Sequence, residues 1–342
     1  MGLTRPSAIL LGFWRVYGTR YISQSGFQAW HFAVDMPPKF GERELLELRG
    51  LIDLALREDL PGGDATTDPL VGPTRDGTGP LAGMAARFVA RESGVAAGVP
   101  VVKELFGRST PAVEVVVRTP DGQPLSAGVT LAEVRGPAAE ILRLERTVLN
   151  FLQRLSGIAS GTAKWVEELG DSHAELVDTR KTTPGWRYLE KYAVRCGGAS
   201  NHRFNLSDGV LVKDNHIAVL RELGRGDFPD WVATLRAAAS ELFLQVEVDT
   251  REQFISVLGL PIDAVLLDNF GVDDLKWAVE RRNAQHASRP LLEASGGIQR
   301  STLKAVAATG VDRISVGALT HSAPSLDIAL DIIDAFEIRG GS

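Results

Sequence analysis

The chain has 342 residues, of which 44% are hydrophobic and 23% charged, as is typical of a soluble globular protein with one large or two smaller domains. Its formal net charge of −6 disfavours nucleic-acid binding, because a protein surface that binds nucleic acid is usually broadly basic. No apolar run reaches the roughly 18 residues that span a bilayer, and the single cysteine, Cys196, excludes an internal disulfide. The composition therefore predicts a cytoplasmic protein that binds neither membrane nor nucleic acid.

The first 35 residues differ from the rest of the chain. They contain Arg5, Arg15 and Arg20 and no acidic residue before Asp35. Three interpretations are open: a transit or signal peptide, a disordered tail, or an upstream start codon chosen in error. The last two are favoured, because no clear small-residue cleavage site follows and because Met36 begins an ordinary approach to a helix. Residues 1–35 are therefore treated as a leader, and we expect the fold to begin near Met36.

Residues 36–170 are predicted to form an N-terminal α/β domain. Apolar spacing predicts a helix over 40–60, which the Pro-Gly-Gly turn after it ends. Three β-rich segments separated by Gly/Pro turns follow, at 84–89, 112–117 and 129–134. A long helix is predicted over 138–169, and its Ser156-Gly157 pair is a candidate break.

Residues 171–342 show a different pattern, in which apolar strand candidates alternate with helical stretches. The candidates occupy residues 174–179, 209–214, 243–249, 263–269, 290–297 and 312–318. They end in polar or small residues, namely Asp178, Lys213, Glu247, Asp268, Ser295 and Gly317. Because the carboxyl ends of parallel strands meet at one edge of a sheet, these side chains should surround one mouth. Six such units fall short of a full barrel, so we predict an incomplete, open β/α barrel with the catalytic site.

A basic cluster stands out within this acidic chain. Between Asp178 and His216 there are seven Lys or Arg residues and four Asp or Glu residues. Such a cluster favours a small, highly charged anion as ligand. The members best suited to bind carboxylates and phosphates are Arg180, Lys181, Arg203 and Lys213. Any single one could be a solvated surface residue, although this is less plausible for Lys213, which directly follows an apolar strand.

Acidic residues and glycine-rich loops complete the predicted mouth. Glu247 and Asp268 could hold Mg²⁺ together with substrate phosphates, or could simply neutralise the lysines. The loops Ser295–Gly297 and Val316–Ala318 are of a kind that binds phosphate through backbone N–H groups. His202 could be a base, a ligand or an anion-binding donor, although a lone histidine is more often structural. The chain has no dinucleotide-binding fingerprint, P-loop or serine-hydrolase motif, so we expect no nicotinamide or flavin cofactor.

Nine motifs carry a resemblance to a known family. In chain order they are ALREDLPGGDATT (55–67), ERTVLNFLQRLSGIAS (145–160), DTRKTTPGWR (178–187), KYAVRCGGASNHR (191–203), VLVKDNH (210–216), VEVD (246–249), LLDN (266–269), EASGGI (293–298) and ISVGALTHSAPSLDIALD (314–331). In this order and spacing they resemble the quinolinate phosphoribosyltransferases, the carboxylating nicotinate-nucleotide diphosphorylases of NAD biosynthesis. The resemblance implies that quinolinate and 5-phosphoribosyl-1-diphosphate (PRPP) react, with Mg²⁺, to give nicotinate mononucleotide, diphosphate and CO₂.

The same resemblance implies roles for individual residues. Arg180, Arg203 and Lys213 would bind quinolinate or diphosphate, Thr179 and Lys181 would line the same pocket, and His202 would assist. Glu247 and Asp268 would face the ribose hydroxyls and Mg²⁺. The 5-phosphate would be held by Ser295, Gly296, Gly297 and Gly317, with His321 nearby. The groups closest to the chemistry would be Lys181, Lys213, Glu247 and Asp268. Arg146 would enter the neighbouring subunit's site, which implies a homodimer or a larger assembly.

Three other interpretations were weighed against this one. A paralogous group with the same fold, associated with molybdate transport operons, has an uncertain substrate; the presence of Arg146, Arg180 and Arg203 favours quinolinate over it. A barrel Schiff-base lyase would use Lys213 as its nucleophile. A non-catalytic anion-binding protein would be expected to have lost some of the charged residues, and none is missing.

Overall fold

A computed structural model describes residues 38–72, 81–109, 112–286 and 289–338. The predicted leader, residues 1–35, lies outside these ranges. The helices are α1 (Glu42–Asp59), α2 (Thr67–Val71), α3 (Val99–Phe106), α4 (Ala138–Leu169), α5 (Arg187–Cys196), α6 (Asp214–Glu222), α7 (Phe228–Ala238), α8 (Arg251–Val257), α9 (Val272–His286), α10 (Arg300–Ala307) and α11 (Ala318–His321). The strands are β1 (Leu81–Ala90), β2 (Gly94–Val95), β3 (Glu114–Val117), β4 (Pro124–Leu125), β5 (Thr130–Pro137), β6 (Glu175–Val177), β7 (Val210–Val212), β8 (Leu244–Val248), β9 (Ala264–Asp268), β10 (Leu291–Ser295), β11 (Arg313–Ser315) and β12 (Ile328–Ile338).

The first large sheet is antiparallel, with strand order β12-β1-β5-β3. The predicted β-rich segments correspond to β1, β3 and β5, while β12 was not predicted from its sequence. β12 comes from the end of the chain, and its Ile328 pairs with Ala90 of β1. The antiparallel sheet therefore includes a strand from beyond residue 170, the predicted domain boundary. The boundary itself stays a prediction.

Helix α4 is continuous and packs between elements of the two large sheets. It runs from Ala138 to Leu169, so the candidate break at Ser156-Gly157 was wrong. The two small residues serve close packing instead. The Ser156 hydroxyl both donates to and accepts from the backbone of Ala97, at 3.0 and 3.1 Å. A Cβ on Gly157 would clash with the carbonyl oxygen of Pro324, so a chain segment from the far end of the protein can lie directly on the helix there.

The second large sheet has six parallel strands in the order β6-β11-β10-β9-β8-β7, which confirms the predicted open β/α barrel. Its strands β6 and β7 follow each other in sequence but lie at opposite edges of the sheet, so the barrel is not closed. The chain after α5 runs beside the β6 edge, where Ser200 bridges Val177. This places residues 200–203 at the opening between the two edge strands.

The strands of the parallel sheet are largely apolar, as expected for parallel strands that are buried on both faces. This core contains the completely buried side chains of Val265, Leu267, Leu292 and Ile314. Polar side chains are buried here too, including Gln245 on β8 and Glu293 on β10, at 1% and 0% exposure. None of the described helices is long and apolar enough to cross a membrane.

Candidate active site

The carboxyl ends of the parallel strands bring four predicted site residues together. Val212 of β7 pairs with Val246 of β8, so Lys213 and Glu247 follow side by side. Asp268 at the end of β9 pairs directly with Ser295 at the end of β10. Strand register alone therefore places these residues along one rim of the sheet, as expected for parallel strands.

Glu247 and Asp268 lie in an environment that disfavours two negative charges. Partial burial, above all, raises the pKa of each carboxyl. Lys213 opposes this for Glu247 and Lys181 opposes it most for Asp268, while Asp214 adds repulsion at both. The rim thus holds acids and lysines close enough to influence one another, and an added cation would relieve the repulsion among the acids.

Asp214 and Asp249 belong to this acidic rim, and sequence reasoning missed both. Asp249 also raises the pKa of Asp268, after the contributions of burial and Asp214. Each lies one or two residues beyond an assigned strand-end residue, Lys213 or Glu247. That position was a usable signal, because the first residues after a parallel strand also face the mouth.

Mg²⁺ fits the chemistry of this rim only if a substrate supplies further ligands. Carboxylate oxygens are the ligands that Mg²⁺ prefers, and Glu247 and Asp268 provide them at adjacent strand ends. No group of three or more acidic, histidine or cysteine side chains in the described part of the chain could hold a metal ion by itself. Such an incomplete set is what Mg²⁺ uses when substrate phosphates and water complete its shell.

Lys181 reaches the loop after β11. A Cβ placed on Gly317 would lie 3.0 Å from Lys181 Cδ and 3.1 Å from His321 Nε2. The carbonyl of Lys181 also accepts a hydrogen bond from the Thr320 hydroxyl, at 2.8 Å. Glycine at position 317 therefore leaves room for two basic side chains to lie beside one loop, which joins Lys181 to the predicted phosphate end of the mouth.

Two arginines form the other half of the cationic region. Burial first, and then the charge of Arg180, lowers the pKa of Arg203. Arg203 donates to the carbonyl of Gly209 at 2.7 Å, and the buried Nε of Arg180 donates to no described group. Neither arginine forms an ion pair with any carboxylate in the described ranges. Two adjacent guanidinium groups without a carboxylate partner are suited to an incoming anion.

Thr179 and His202 have their polar groups engaged within the protein. The Thr179 hydroxyl accepts a hydrogen bond from the Lys181 N–H at 3.0 Å, which shapes the loop after β6. His202 Nδ1 accepts from the Arg203 N–H at 2.7 Å, and His202 Nε2 lies 3.0 Å from Gln245 Oε1. Burial lowers the pKa of His202, so a neutral ring is favoured. Both residues lie at the mouth, but their hydrogen bonds support the backbone there.

The loop after β10 offers free backbone donors. Gly296 and Gly297 have φ angles of +85° and +60°, which favour glycine. Gly296 is additionally required because a Cβ there would clash with the side chain of Asn269, whereas a Cβ on Gly297 would meet nothing. The N–H groups of Gly297, Ile298 and Gly317 donate to no group in the described part of the chain. Open space and free donors beside Gly297 suit an anion.

Arg146 is not brought to this mouth within one chain. It is exposed on α4 and makes no hydrogen bond or ion pair with any residue in the described ranges. Sequence reasoning instead missed Arg154, two turns further along α4. Arg154 donates to Glu190 of α5 at 2.7 Å and to the carbonyl of Thr320 of α11 at 2.8 Å, and so connects α4 to both of these helices.

Family models match most of the chain. Residues 64–156 match the quinolinate phosphoribosyl transferase N-terminal domain, and residues 158–331 match the C-terminal domain of the same family. The chain belongs to the quinolinate phosphoribosyltransferase family. Seven of the nine motifs that suggested this resemblance lie at or beside the parallel sheet, between residues 178 and 331, and the other two lie on α1 with the turn after it and on α4.

Named relatives from the quinolinate phosphoribosyltransferase family are similar in sequence to this chain along nearly their whole length. A nicotinate-nucleotide pyrophosphorylase [carboxylating] of Mycobacterium leprae is 43% identical over 289 residues, covering 83% of this chain and 96% of its own. A probable enzyme of that name from Bacillus subtilis is 40% identical over 288 residues, covering 84% and 94%. The crystal structure of the nicotinate-nucleotide pyrophosphorylase from Ehrlichia chaffeensis superposes with a TM-score of 0.75 at 35% identity, covering 83% of this chain and 98% of that one. That from Francisella tularensis gives 0.76 at 33% identity, covering 84% and 96%.

These relatives do not favour the alternatives weighed from the sequence. The named relatives are named for one activity, and the solved structures named for it superpose on most of this chain. Neither a molybdate-associated paralogue nor a Schiff-base lyase is needed to explain the residues at the mouth of this quinolinate phosphoribosyltransferase.

Proposed function

We infer that this protein transfers the phosphoribosyl group of PRPP to quinolinate with loss of CO₂, giving nicotinate mononucleotide and diphosphate. Family membership and the named relatives support this activity in NAD biosynthesis. The structural observation that carries it is the pair Arg180 and Arg203, two guanidinium groups whose charges act on each other and that form no ion pair in the described ranges, although Asp208 partly offsets the charge at Arg203. A substrate with two adjacent carboxylates matches such a pair in charge, and each guanidinium group can bind a carboxylate through two hydrogen bonds.

We assign the quinolinate half of the site to the β6–β7 side of the mouth. Arg180 and Arg203 would bind the two carboxylates, with Lys213 at their edge and Thr179 shaping the loop between them. His202 would assist through its bond to the Arg203 backbone. Burial of Arg203 strengthens its attraction for an anion, because the local dielectric is lower than that of water.

The PRPP half would occupy the rim from β8 to β11. Glu247 and Asp268 would face the ribose hydroxyls and hold Mg²⁺, which would bind diphosphate oxygens and neutralise the leaving group. The 5-phosphate would lie against Ser295, Gly296, Gly297 and Gly317, the loops with free N–H donors and open space. Lys181 and His321 lie beside Gly317 and would add positive charge there.

The chemistry requires positioning and charge stabilisation rather than a covalent nucleophile. The quinolinate nitrogen attacks the ribose carbon as its bond to diphosphate breaks, through an oxocarbenium-like state. Lys213, beside Glu247, stabilises the negative charge that develops on diphosphate, while Lys181 holds the 5-phosphate end of PRPP in place. The nitrogen is then cationic, so the ring accepts the electron pair of the adjacent carbon–carboxylate bond as CO₂ leaves, and that carbon takes a proton.

We also propose that Arg146 completes the site of a second subunit. It is exposed and free of partners in the described ranges of its own chain, which suits a residue that acts across an interface. Mixing Arg146→Ala with Lys213→Ala subunits should then restore about a quarter of wild-type activity, because half of the dimers would be mixed and each would have one intact site. No recovery would exclude a shared site. A cytoplasmic location, predicted from the single cysteine, remains a proposal.

Release of ¹⁴CO₂ from carboxyl-labelled quinolinate is the direct test of the activity. We expect release only when both PRPP and Mg²⁺ are present, and a loss of release in Arg180→Ala. The matched control is Arg281→Ala, at an exposed arginine on α9 outside the rim. Folded wild-type protein that releases no CO₂ with both additions would contradict the proposed function.

A further inference from the structure

A chain of four polar groups leads from the interior of the parallel sheet to Arg203. Glu293 is fully buried on β10, and its Oε2 accepts a hydrogen bond from Gln245 Nε2 at 3.1 Å. Gln245 Oε1 lies 3.0 Å from His202 Nε2. His202 Nδ1 in turn accepts from the N–H of Arg203, at 2.7 Å. These contacts connect a buried carboxylate to the backbone of a residue that we assign to quinolinate.

The direction of every bond in this chain follows from its two ends. A carboxylate can only accept, so Glu293 requires the amide nitrogen of Gln245 to point toward it. The amide oxygen then faces His202, and only a protonated Nε2 can donate to it. A neutral ring with its proton on Nε2 leaves Nδ1 as an acceptor, which is what the Arg203 N–H needs. The opposite tautomer would bring two N–H groups against each other.

The backbone of His202 is held as firmly as its ring. Its N–H donates to the fully buried Asp178 at 2.8 Å, and its carbonyl accepts from the fully buried Lys191 at 2.9 Å. Lys191 and Asp178 also pair directly with each other. Residue 202 is therefore fixed on all sides, and the freedom left to Arg203 depends on its own N–H and its side chain.

We propose that Glu293 is a positioning residue for quinolinate binding: through Gln245 it fixes the tautomer of His202, which fixes the backbone of Arg203. Both ring nitrogens of His202 are then occupied within the protein, so His202 acts by orienting Arg203 and not by contacting substrate. Burial also lowers the pKa of His202, in agreement with a neutral ring. The role assigned to Arg203 rests on the proposed function.

The other charged groups around this series of hydrogen bonds are compatible with the assignment. Glu293 Oε1 accepts no hydrogen bond from the described residues and lies 3.5 Å from His202 Nε2, so it adds to the preference for a proton there. Arg313 Nη1 lies 3.4 Å from Glu293 Oε2, so this carboxylate also faces a guanidinium group. A carboxylate that faces only donors fits the direction of the hydrogen bonds described above.

Long-range ¹H–¹⁵N spectra of ¹⁵N-histidine-labelled full-length protein report the tautomer directly. The chain has six histidines, and the His202 signals can be identified by their loss in His202→Gln. We expect a proton on Nε2 in the wild type at pH 7.5, and a population with the proton on Nδ1 in Glu293→Gln. In that variant the KM for quinolinate should rise about tenfold, as is usual when an outer hydrogen-bond partner is lost. The KM for PRPP should change by less than about twofold.

A carboxylate swap provides the decisive comparison. In the double variant Gln245→Glu/Glu293→Gln the new carboxylate at position 245 accepts from His202 Nε2, so the direction of the chain is preserved. This variant should regain the Nε2 proton and most of the lost affinity for quinolinate. Asp121→Asn is the matched control: Asp121 is also a buried acid, but it accepts from the N–H groups of Gly98 and Val99 at the start of α3. It should lower thermal stability and leave the KM for quinolinate unchanged.

Three outcomes would overturn the proposal: a wild-type His202 with its proton on Nδ1, a Glu293→Gln protein with unchanged tautomer and KM, or a folded swap variant without recovery. The wild-type spectrum decides the first even if Glu293→Gln does not fold. A wild type that does not use quinolinate would refute the proposed function, whereas the spectra would still decide whether Glu293 sets the tautomer.

Discussion

Arg154 on α4 donates a hydrogen bond to the carboxylate of Glu190, which is fully buried on α5, at a distance of 2.7 Å. Glu190 also accepts from the N–H and the hydroxyl of Thr183, at 3.0 and 2.8 Å. The pair therefore links the long helix to the loop that carries Lys181.

Arg154→Ala should destabilise the protein severely, because it leaves Glu190 buried without its cationic partner. Loss of one member of a buried pair costs about 3–5 kcal/mol, which should appear as a large drop in the midpoint of urea unfolding. Arg118→Ala is the control, since Arg118 pairs with Glu133 at the surface. It should shift the midpoint little. Equal shifts in the two variants would contradict the structural role given to Arg154.

Two glycines one turn apart on α4 should respond oppositely to the same substitution. Gly157→Ala places a Cβ against the Pro324 carbonyl and 2.8 Å from Ser325 Cα, so it should cost roughly 1–3 kcal/mol or more through overpacking. Gly161→Ala meets only Ala323 Cβ at 3.9 Å and should gain up to about 1 kcal/mol from helix propensity. Thermal unfolding of the two variants measures both effects. A destabilised Gly161→Ala would show that the packing described here is wrong.

Lys213→Ala should lower kcat while the protein remains folded. Lys213 is exposed at the strand end beside Glu247, so its removal creates no cavity but deletes a positive charge from the rim. A loss of roughly a hundredfold or more in kcat is expected for a group that stabilises developing charge. Lys276→Ala, at an exposed lysine on α9, should retain full activity. Wild-type turnover in Lys213→Ala would remove Lys213 from the proposed mechanism.

Removal of divalent cations should abolish activity, and Asp268→Asn should raise the Mg²⁺ concentration needed for half-maximal rate. The expected rise is about tenfold, because one of few protein carboxylates would be lost. Asp273→Asn, at an exposed acid in the first turn of α9, should leave the Mg²⁺ dependence unchanged. Full activity in the presence of EDTA would exclude the metal, and an unchanged Mg²⁺ requirement in Asp268→Asn would place the metal elsewhere.

Acid should destabilise the wild type more than His202→Gln. Burial lowers the pKa of His202 below its ordinary value of 6.5, so below that pH the unfolded chain binds a proton that the folded protein does not. Stability contributed by the neutral ring is thus present above pH 6.5 and is lost as the pH falls toward the folded pKa. The difference in thermal midpoint between pH 7.5 and 5.5 should be smaller in His202→Gln than in the wild type or in His173→Gln. Identical differences would mean that folding does not lower the pKa of His202.

The sequence was sufficient to predict the open barrel and most of the rim, for a physical reason. Parallel strands covered by helices are apolar and end abruptly in polar residues, so Lys213, Glu247 and Asp268 could be identified without knowing the strand order. Asp214 and Asp249 were missed because they lie one and two residues beyond the strand-end residues Lys213 and Glu247.

What could not be predicted depends on contacts between distant parts of the chain. Gly157 looks like a helix breaker in sequence, and only the position of Pro324 explains its presence. Glu293 reads as an ordinary residue inside a strand, since its importance comes from the direction of hydrogen bonds through Gln245 and His202. β12 has the exposed Ile332 and Ile333 in its middle and lacks a regular alternation, so its pairing with β1 had no clear local signal.

The pairing of β12 with β1 has a consequence for how the protein is made. β1 leaves the ribosome long before the strand that covers its edge, which lies more than 200 positions later in the chain. Until then β1 presents unpaired N–H and C=O groups, a state that invites association with other chains. The antiparallel sheet can therefore be completed only after β12 has been translated, and a chain shortened before Ile328 would never complete it.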